Sequence, residues 1–190
     1  MRVPRKVLDR ARRVRLLLMD VDGVLTDGQL FYVETSPGVI EETKGFDSKD
    51  GIALILAREA GLRTGLISGR DSAGVRRRAE ILGMEFVYQG RRRKVPAFEE
   101  ILARSGLAEA ETAYVGDDLP DLPLLARVGL PIAVADAVPE VRRSALLVTR
   151  RPGGRGAVRE AVEVILKAQG RWDEALRRIG IDQVPRTPRF

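Results

Sequence analysis

Three carboxylates crowd into one short stretch, "RLLLMDVDGVLTDG" (15–28): Asp20, Asp22 and Asp27, directly behind an apolar run. Further along stand Ser68 in "LISGR", Lys94 behind "QGRRR", and Asp117 and Asp118 in "YVGDD". Carboxylates converging at the edge of a core repel, and without compensation they protonate or destabilise the fold. A hard divalent cation removes that cost, and Mg²⁺ takes oxygen ligands while keeping several waters. Asp20 and Asp117 are the natural side-chain ligands, with a backbone carbonyl near Asp22 as a third. With the charge balanced, Asp20 can attack phosphorus and form an aspartyl-phosphate. Lys94 would then offset the repulsion between an anionic nucleophile and an anionic substrate. Asp22, two residues on, can protonate the leaving oxygen and afterwards activate water. Ser68 and neighbouring backbone N–H groups can hold the transferring phosphoryl.

Composition narrows the alternatives. The chain has 190 residues with no cysteine and no histidine. That excludes disulfides, a thiolate nucleophile, an imidazole base and a Ser-His-Asp triad. The net charge is +6, but aromatic residues are only 5%, so platforms for stacking bases are scarce. The charge suits a field that attracts small phosphorylated molecules, and no nucleic-acid partner is expected. No apolar run reaches the length of a membrane span, and the basic N-terminus has no apolar segment behind it. No membrane partner is expected, and a cytoplasmic location is inferred by default.

The residues must be positioned by alternating strands and helices. "RLLLMD", "LRTGLIS", "MEFVYQ", "TAYVGDD", "LPIAVAD" and "LLVTR" read as short buried strands. Helical patterns lie between them over 47–61, 71–83, 94–106, "LPDLPLLARVG" and "VPEVRRSA", and a last amphipathic helix is marked by Val158, Val162, Ile165 and Leu166. Such alternation predicts an α/β fold, a Rossmann-like parallel sheet with helices on both faces. A β-hairpin insert is expected at about 28–46, "RPGGRG" (151–156) reads as a flexible loop, and 181–190 as a polar tail after a single domain spanning 1–180. In parallel sheets ligands gather at the carboxyl ends of the strands, where Asp20, Ser68 and Asp117 fall.

In order and type, "DVDGVLTDG", "SGR", Lys94 and "GDDLPD" resemble the four motifs of haloacid dehalogenase (HAD) superfamily phosphatases. The hairpin after the first motif is similar to the subgroup with a small insert in place of a cap domain. "KGFDSKDGIA", "YQGRRRK", "AVADAVPEV" and "TRRPGGRGAVREAVEVILKAQG" extend the likeness to enzymes of that superfamily acting on phosphorylated keto-deoxy sugar acids of eight or nine carbons. The resemblance implies Asp20 as nucleophile, Asp22 as acid/base, Mg²⁺ on Asp20, the Asp22 carbonyl and Asp117, and Ser68 and Lys94 on the phosphate. It implies a substrate pocket lined by Asp47, Ser48, Lys49, Asp50, Gly51, Gly69, Arg70 and Arg78, with Asp121 orienting the metal shell. It also implies a homotetramer with shared active sites, its hairpins packed together and its Gly-rich tail able to reach a neighbour's site. Ser48 and Lys49 stand where many relatives have Val and Arg, so substrate identity is less fixed than the chemistry. Two readings of other classes compete: a non-catalytic tetramerisation module like that fused to sialic-acid synthetases, and a receiver domain. In the second the phosphorylated Asp ends the third strand, not the first.

Overall fold

The computed structural model describes residues 3–182. Six parallel strands form one sheet in the order β5-β4-β1-β6-β7-β8: β1 Leu16–Met19, β4 Arg63–Ile67, β5 Phe86–Tyr88, β6 Thr112–Gly116, β7 Leu130–Ala133 and β8 Leu147–Val148. All four residues of β1 and all five of β6 are buried. Strands covered on both faces read as continuous apolar runs rather than alternating ones, which is why "LLLM" and "AYV" carried the strand signal.

Helices α1 Arg5–Ala11, α2 Ser48–Glu59, α7 Ala157–Ala168 and α8 Trp172–Arg178 pack on one another as one layer. Helices α4 Lys94–Ser105, α5 Leu122–Leu125 and α6 Pro139–Ser144 pack as another, and α3 Ala73–Leu82 lies beside α2. The expected α/β sheet with helices around it is therefore the fold. Among the described residues no helix is long and apolar enough to cross a membrane.

Three local expectations change. "LPDLPLLARVG" is not one helix: a 3₁₀ turn over Leu119–Asp121 precedes the four-residue α5. Pro120 and Pro123 each take an early helical position, where their missing N–H is tolerated, and so restart the helix twice. Helix α8 stands before the predicted tail, its Trp172, Ala175 and Leu176 buried. The tail itself, apart from 181 and 182, lies outside the described residues.

The third change is "RPGGRG", which is not a loose loop. A Cβ on Gly153 would lie 1.7 Å from the Gly23 carbonyl oxygen, and one on Gly154 2.3 Å from the Asp27 amide nitrogen. The Gly154 amide donates to the Val24 carbonyl at 2.9 Å, and the Gly153 amide to Asp136 Oδ1 at 2.9 Å. These glycines serve close packing against the turn that follows β1 of the same chain.

The hairpin is β2 Phe31–Ser36 and β3 Val39–Thr43, an antiparallel pair that forms its own two-stranded sheet. Every residue of β2 is exposed.

Candidate active site

Register brings the first two carboxylates together. Met19 pairs with Leu66 of β4 on one side and Val115 of β6 on the other. Asp20 therefore leaves β1 between the exits of β4 and β6, where Ser68 and Asp117 follow. This is a point where chain connections run off in opposite directions, the place an open α/β sheet offers a crevice.

Two glycines make the approach possible. Gly23 has φ +84°, and a Cβ there would stand 2.1 Å from Asp117 Oδ2, so only glycine lets the turn after β1 close on Asp117. A Cβ on Gly116 would meet the Asp121 side chain at 2.6 Å, which explains the Gly at the end of β6. Within that turn the amides of Val24, Leu25 and Thr26 all donate to the Val21 carbonyl, and among the described residues no backbone amide donates to the Asp22 carbonyl.

Lys94, at the first position of α4, is almost wholly buried. Its Nζ lies 2.9 Å from Asp20 Oδ1, 2.6 Å from Asp121 Oδ1 and 3.1 Å from the Tyr114 hydroxyl. Tyr114, itself buried, donates to Asp121 Oδ1 at 2.7 Å. Asp121 Oδ2 accepts from the Asp117 amide at 3.0 Å, which fixes the backbone that presents the Asp117 carboxyl. Asp121 is thus a buried brace whose two oxygens are both engaged.

The electrostatics follow from that enclosure. Burial works against the Lys94 ammonium, but the charges of Asp20 and Asp121 and their hydrogen bonds outweigh it and hold Lys94 above its usual range. Burial raises Asp20 above the ordinary carboxylate range, against the pull of Lys94. Burial, then the charges of Asp20 and Asp121, push Asp117 up to about 8. Asp117 Oδ1 is buried and takes no hydrogen bond among the described residues. Carboxylate oxygens of Asp20, Asp117 and Asp121 lie within 4.8 Å of one another. An orphaned buried oxygen beside two further carboxylates is a hard-oxygen donor set, and Mg²⁺ fits it. Because Asp121 is already occupied, Asp20 and Asp117 are the side chains with a valence to give.

Asp22 sits in a second cluster. Lys44, just past β3, places Nζ 2.5 Å from Asp22 Oδ1 and 3.1 Å from Glu42 Oε1. Arg70 stands with Nε 3.7 Å from Asp22 Oδ2 and Nη1 3.3 Å from Glu42 Oε2. The hairpin thereby delivers two charged residues, Glu42 and Lys44, to the site. Sequence reasoning missed both, although "EETK" at the return of a hairpin that follows "DVDG" was a signal of sorts.

Ser68 is buried, and its Oγ accepts from the Arg70 amide at 3.2 Å, so residues 68–70 form a tight turn carrying Gly69 at the sheet edge. Asp47 caps α2, accepting from the Lys49 amide at 2.7 Å, and leaves Ser48 and Lys49 exposed on the first turn. Arg78 lies over the Phe46 ring at 5.8 Å, and a Cβ on Gly51 would meet its Nη2 at 2.2 Å, so α2 and α3 meet across that guanidinium.

Asp50 departs from the expected pocket. Its carboxylate is buried and accepts from the Gly156 amide at 3.2 Å and the Arg159 amide at 2.7 Å. It caps the start of α7 from α2 rather than facing a substrate. The Gly-rich segment 151–156 likewise sits on residues 23–27 of its own chain, with Arg155 3.1 Å from Asp27.

Residues 38–129 match the model of the haloacid dehalogenase-like hydrolases. The chain is 43% identical over 169 residues to 3-deoxy-D-manno-octulosonate 8-phosphate phosphatase KdsC of Escherichia coli K12, covering 89% of this chain and 88% of that protein. The phosphatase of that name from Yersinia pestis superposes with a TM-score of 0.84 at 40% identity, over 88% of this chain and 89% of the other. The Moraxella catarrhalis phosphatase, solved with magnesium, phosphate and KDO, gives a TM-score of 0.86 at 38% identity, over 92% and 98% of the two chains. A nonulosonate 9-phosphate phosphatase, a tetramerisation module and a receiver domain gain no support from these relatives.

Proposed function

We propose, from the premise that the chain belongs to the haloacid dehalogenase-like hydrolases and is a phosphoric monoester hydrolase of that family, that it hydrolyses 3-deoxy-D-manno-octulosonate 8-phosphate in the cytoplasm to the free sugar acid and phosphate, using Mg²⁺. The observation that carries this reading is the cluster of Asp20, Asp117 and Lys94 at the exits of adjacent strands, in a chain 43% identical to KdsC.

Asp20 attacks phosphorus as the bond from phosphorus to the sugar oxygen breaks, and Asp22 gives a proton to that oxygen. Water then attacks the phosphorus of the aspartyl-phosphate, Asp22 takes its proton, and Asp20 is restored. Lys94 orients Asp20 and offsets its charge as the anionic substrate approaches. Ser68 and the amide of Gly69 receive the transferring phosphoryl. Arg70 and Arg78, with Lys49 on the first turn of α2, are suited to the sugar carboxylate. Mg²⁺, held by Asp20, Asp117 and the Asp22 carbonyl, supplies charge neutralisation for nucleophile and phosphoryl oxygens.

The protein also acts as a homotetramer joined through its hairpins. The support is a two-stranded ribbon whose Phe31, Tyr32, Val33, Val39 and Ile40 are all exposed. The catalytic test is phosphate release from a panel of sugar phosphates with Mg²⁺. Preference for the 8-phosphate, lost in Asp20→Asn, is expected. Faster turnover of another sugar phosphate would remove the substrate assignment, and activity retained by Asp20→Asn would remove the nucleophile.

A further inference from the structure

We propose that Lys44 is a positioning residue for the proton transfers at Asp22, and that through it the hairpin takes part in the reaction. This rests on the acid/base reading of Asp22 given above.

The Lys44 side chain is only 2% exposed, although it follows a strand that is nearly all solvent-facing. An ammonium is taken out of water only where its partners hold it, and removing one such partner is costly. Its partners are Asp22 Oδ1 at 2.5 Å and Glu42 Oε1 at 3.1 Å. Glu42 in β3 and Lys44 just past its end are two apart in extended backbone and project to the same side of the ribbon, the side turned to the site. Glu42 shares the ammonium, so Lys44 orients Asp22 without presenting it a full unbalanced charge.

The two oxygens of Asp22 then have different tasks. Lys44 pins Oδ1, which leaves Oδ2 to give a proton to the sugar oxygen as its bond to phosphorus breaks, and to take one from the attacking water. Arg70 is the loose member of the cluster: its side chain is 49% exposed and its Nε stands 3.7 Å from Oδ2. It can turn to an incoming anion while Lys44 keeps the carboxylate in place. An acid held within hydrogen-bond reach at a fixed angle is what general catalysis requires.

The test compares a leaving group that needs a proton with one that does not. Rapid mixing of the full-length Mg²⁺ enzyme follows the first turnover of 3-deoxy-D-manno-octulosonate 8-phosphate and of para-nitrophenyl phosphate. Lys44→Met is expected to slow the first turnover of the sugar phosphate about 100-fold and nitrophenolate release less than about threefold, the scale of a lost general acid. A burst of nitrophenolate followed by slow turnover is also expected, because water attack needs the same carboxylate. Lys44→Gln, which keeps a donor and guards against a folding failure of the Met variant, is expected to lose about tenfold on the sugar phosphate alone. Equal slowing of both substrates, or no slowing, overturns the proposal. Asp22→Asn runs in parallel. A leaving-group split there but not in Lys44→Met overturns the role of Lys44 alone. The absence of a split in Asp22→Asn overturns the acid/base reading beneath it as well.

Discussion

Lys94 touches an oxygen of Asp20, of Asp121 and of Tyr114 at once, from a side chain that is 3% exposed. Removing one partner of a buried ion pair strands the others, at a cost of about 3–5 kcal/mol. In a domain of this size each kcal/mol moves Tm by about 2–4 °C, so Lys94→Met is expected to lower the Tm of the metal-free protein by about 10 °C. It should also lower kcat by about 10²–10³ through lost charge stabilisation; calorimetry in EDTA and steady-state assays check the two effects. Asp117 has the opposite sign in the absence of metal. Its buried, unpartnered oxygen and the charges beside it work against the fold, so Asp117→Asn is expected to raise the metal-free Tm. Wild type should gain about 2.7 kcal/mol from Mg²⁺ at one hundred times its dissociation constant, about 5–10 °C, and the variant should not respond. A Mg²⁺ shift of full size in Asp117→Asn would remove it from the ligand set.

Gly156 is the N-cap of helix α7 and has no side chain to cap the helix's first amides. Asp50 supplies the missing oxygens from the first turn of α2, joining the two helices nearest the hairpin exit and the Gly-rich segment. Asp50→Ala leaves the buried Gly156 amide and the partly buried Arg159 amide without their acceptor and is expected to cost about 2–4 kcal/mol, with Asp50→Asn, which keeps one acceptor, costing less. Burial raises Asp50 to about 6 from an ordinary 3.8, against its amide bonds. A carboxyl raised on folding binds its proton more tightly in the folded state. Its contribution is then greatest below pH 3.8, falls as pH rises, and levels off above about 6. Denaturant titrations should show wild type losing up to about 3 kcal/mol relative to Asp50→Asn between pH 4 and 7. A difference flat with pH would show that burial does not perturb the group. The same element shows where sequence reasoning stops. The strands, the order of their motifs, and the placement of Asp20, Ser68 and Asp117 at strand exits with Lys94 at the start of a helix were legible because each follows an apolar run or starts a periodic helix. Asp50 was not, because its partners lie 106 and 109 residues away. Lys44 and Tyr114 likewise act across the fold and leave no periodicity. "RPGGRG" misled for a related reason: glycine signals freedom locally, but at Gly153 and Gly154 it serves contact with 23–27.

Across the whole molecule, the hairpin is the part that lies outside the six-stranded sheet and is tied to the domain through the ion pairs of Glu42 and Lys44. Among the described residues its strands pair with no other strand, and it exposes Tyr32 at 62% and Ile40 at 69%. An isolated two-stranded ribbon is marginal in water, and an exposed apolar strand pair is a template for association. Yet its far end carries Glu42 and Lys44 into the cluster around Asp22. On the proposed assembly, neighbouring copies that order the hairpin would also order the group proposed for proton transfer. Ile40→Lys combined with Val33→Lys places charges on both faces of the ribbon while leaving the six-stranded sheet untouched. Light scattering is expected to report a shift from an assembly toward the 21.0 kDa single chain. The melting of the main domain should change little, because neither residue contributes to its core. First-turnover release of the sugar should fall about tenfold or more, whereas nitrophenolate release, which needs no proton from Asp22, should fall far less. Dilution of the wild-type enzyme through its dissociation range should reproduce that selective loss without any substitution. A single-chain variant with full activity on the sugar phosphate would separate assembly from the site, and an assembly of unchanged mass would move the interface away from the hairpin.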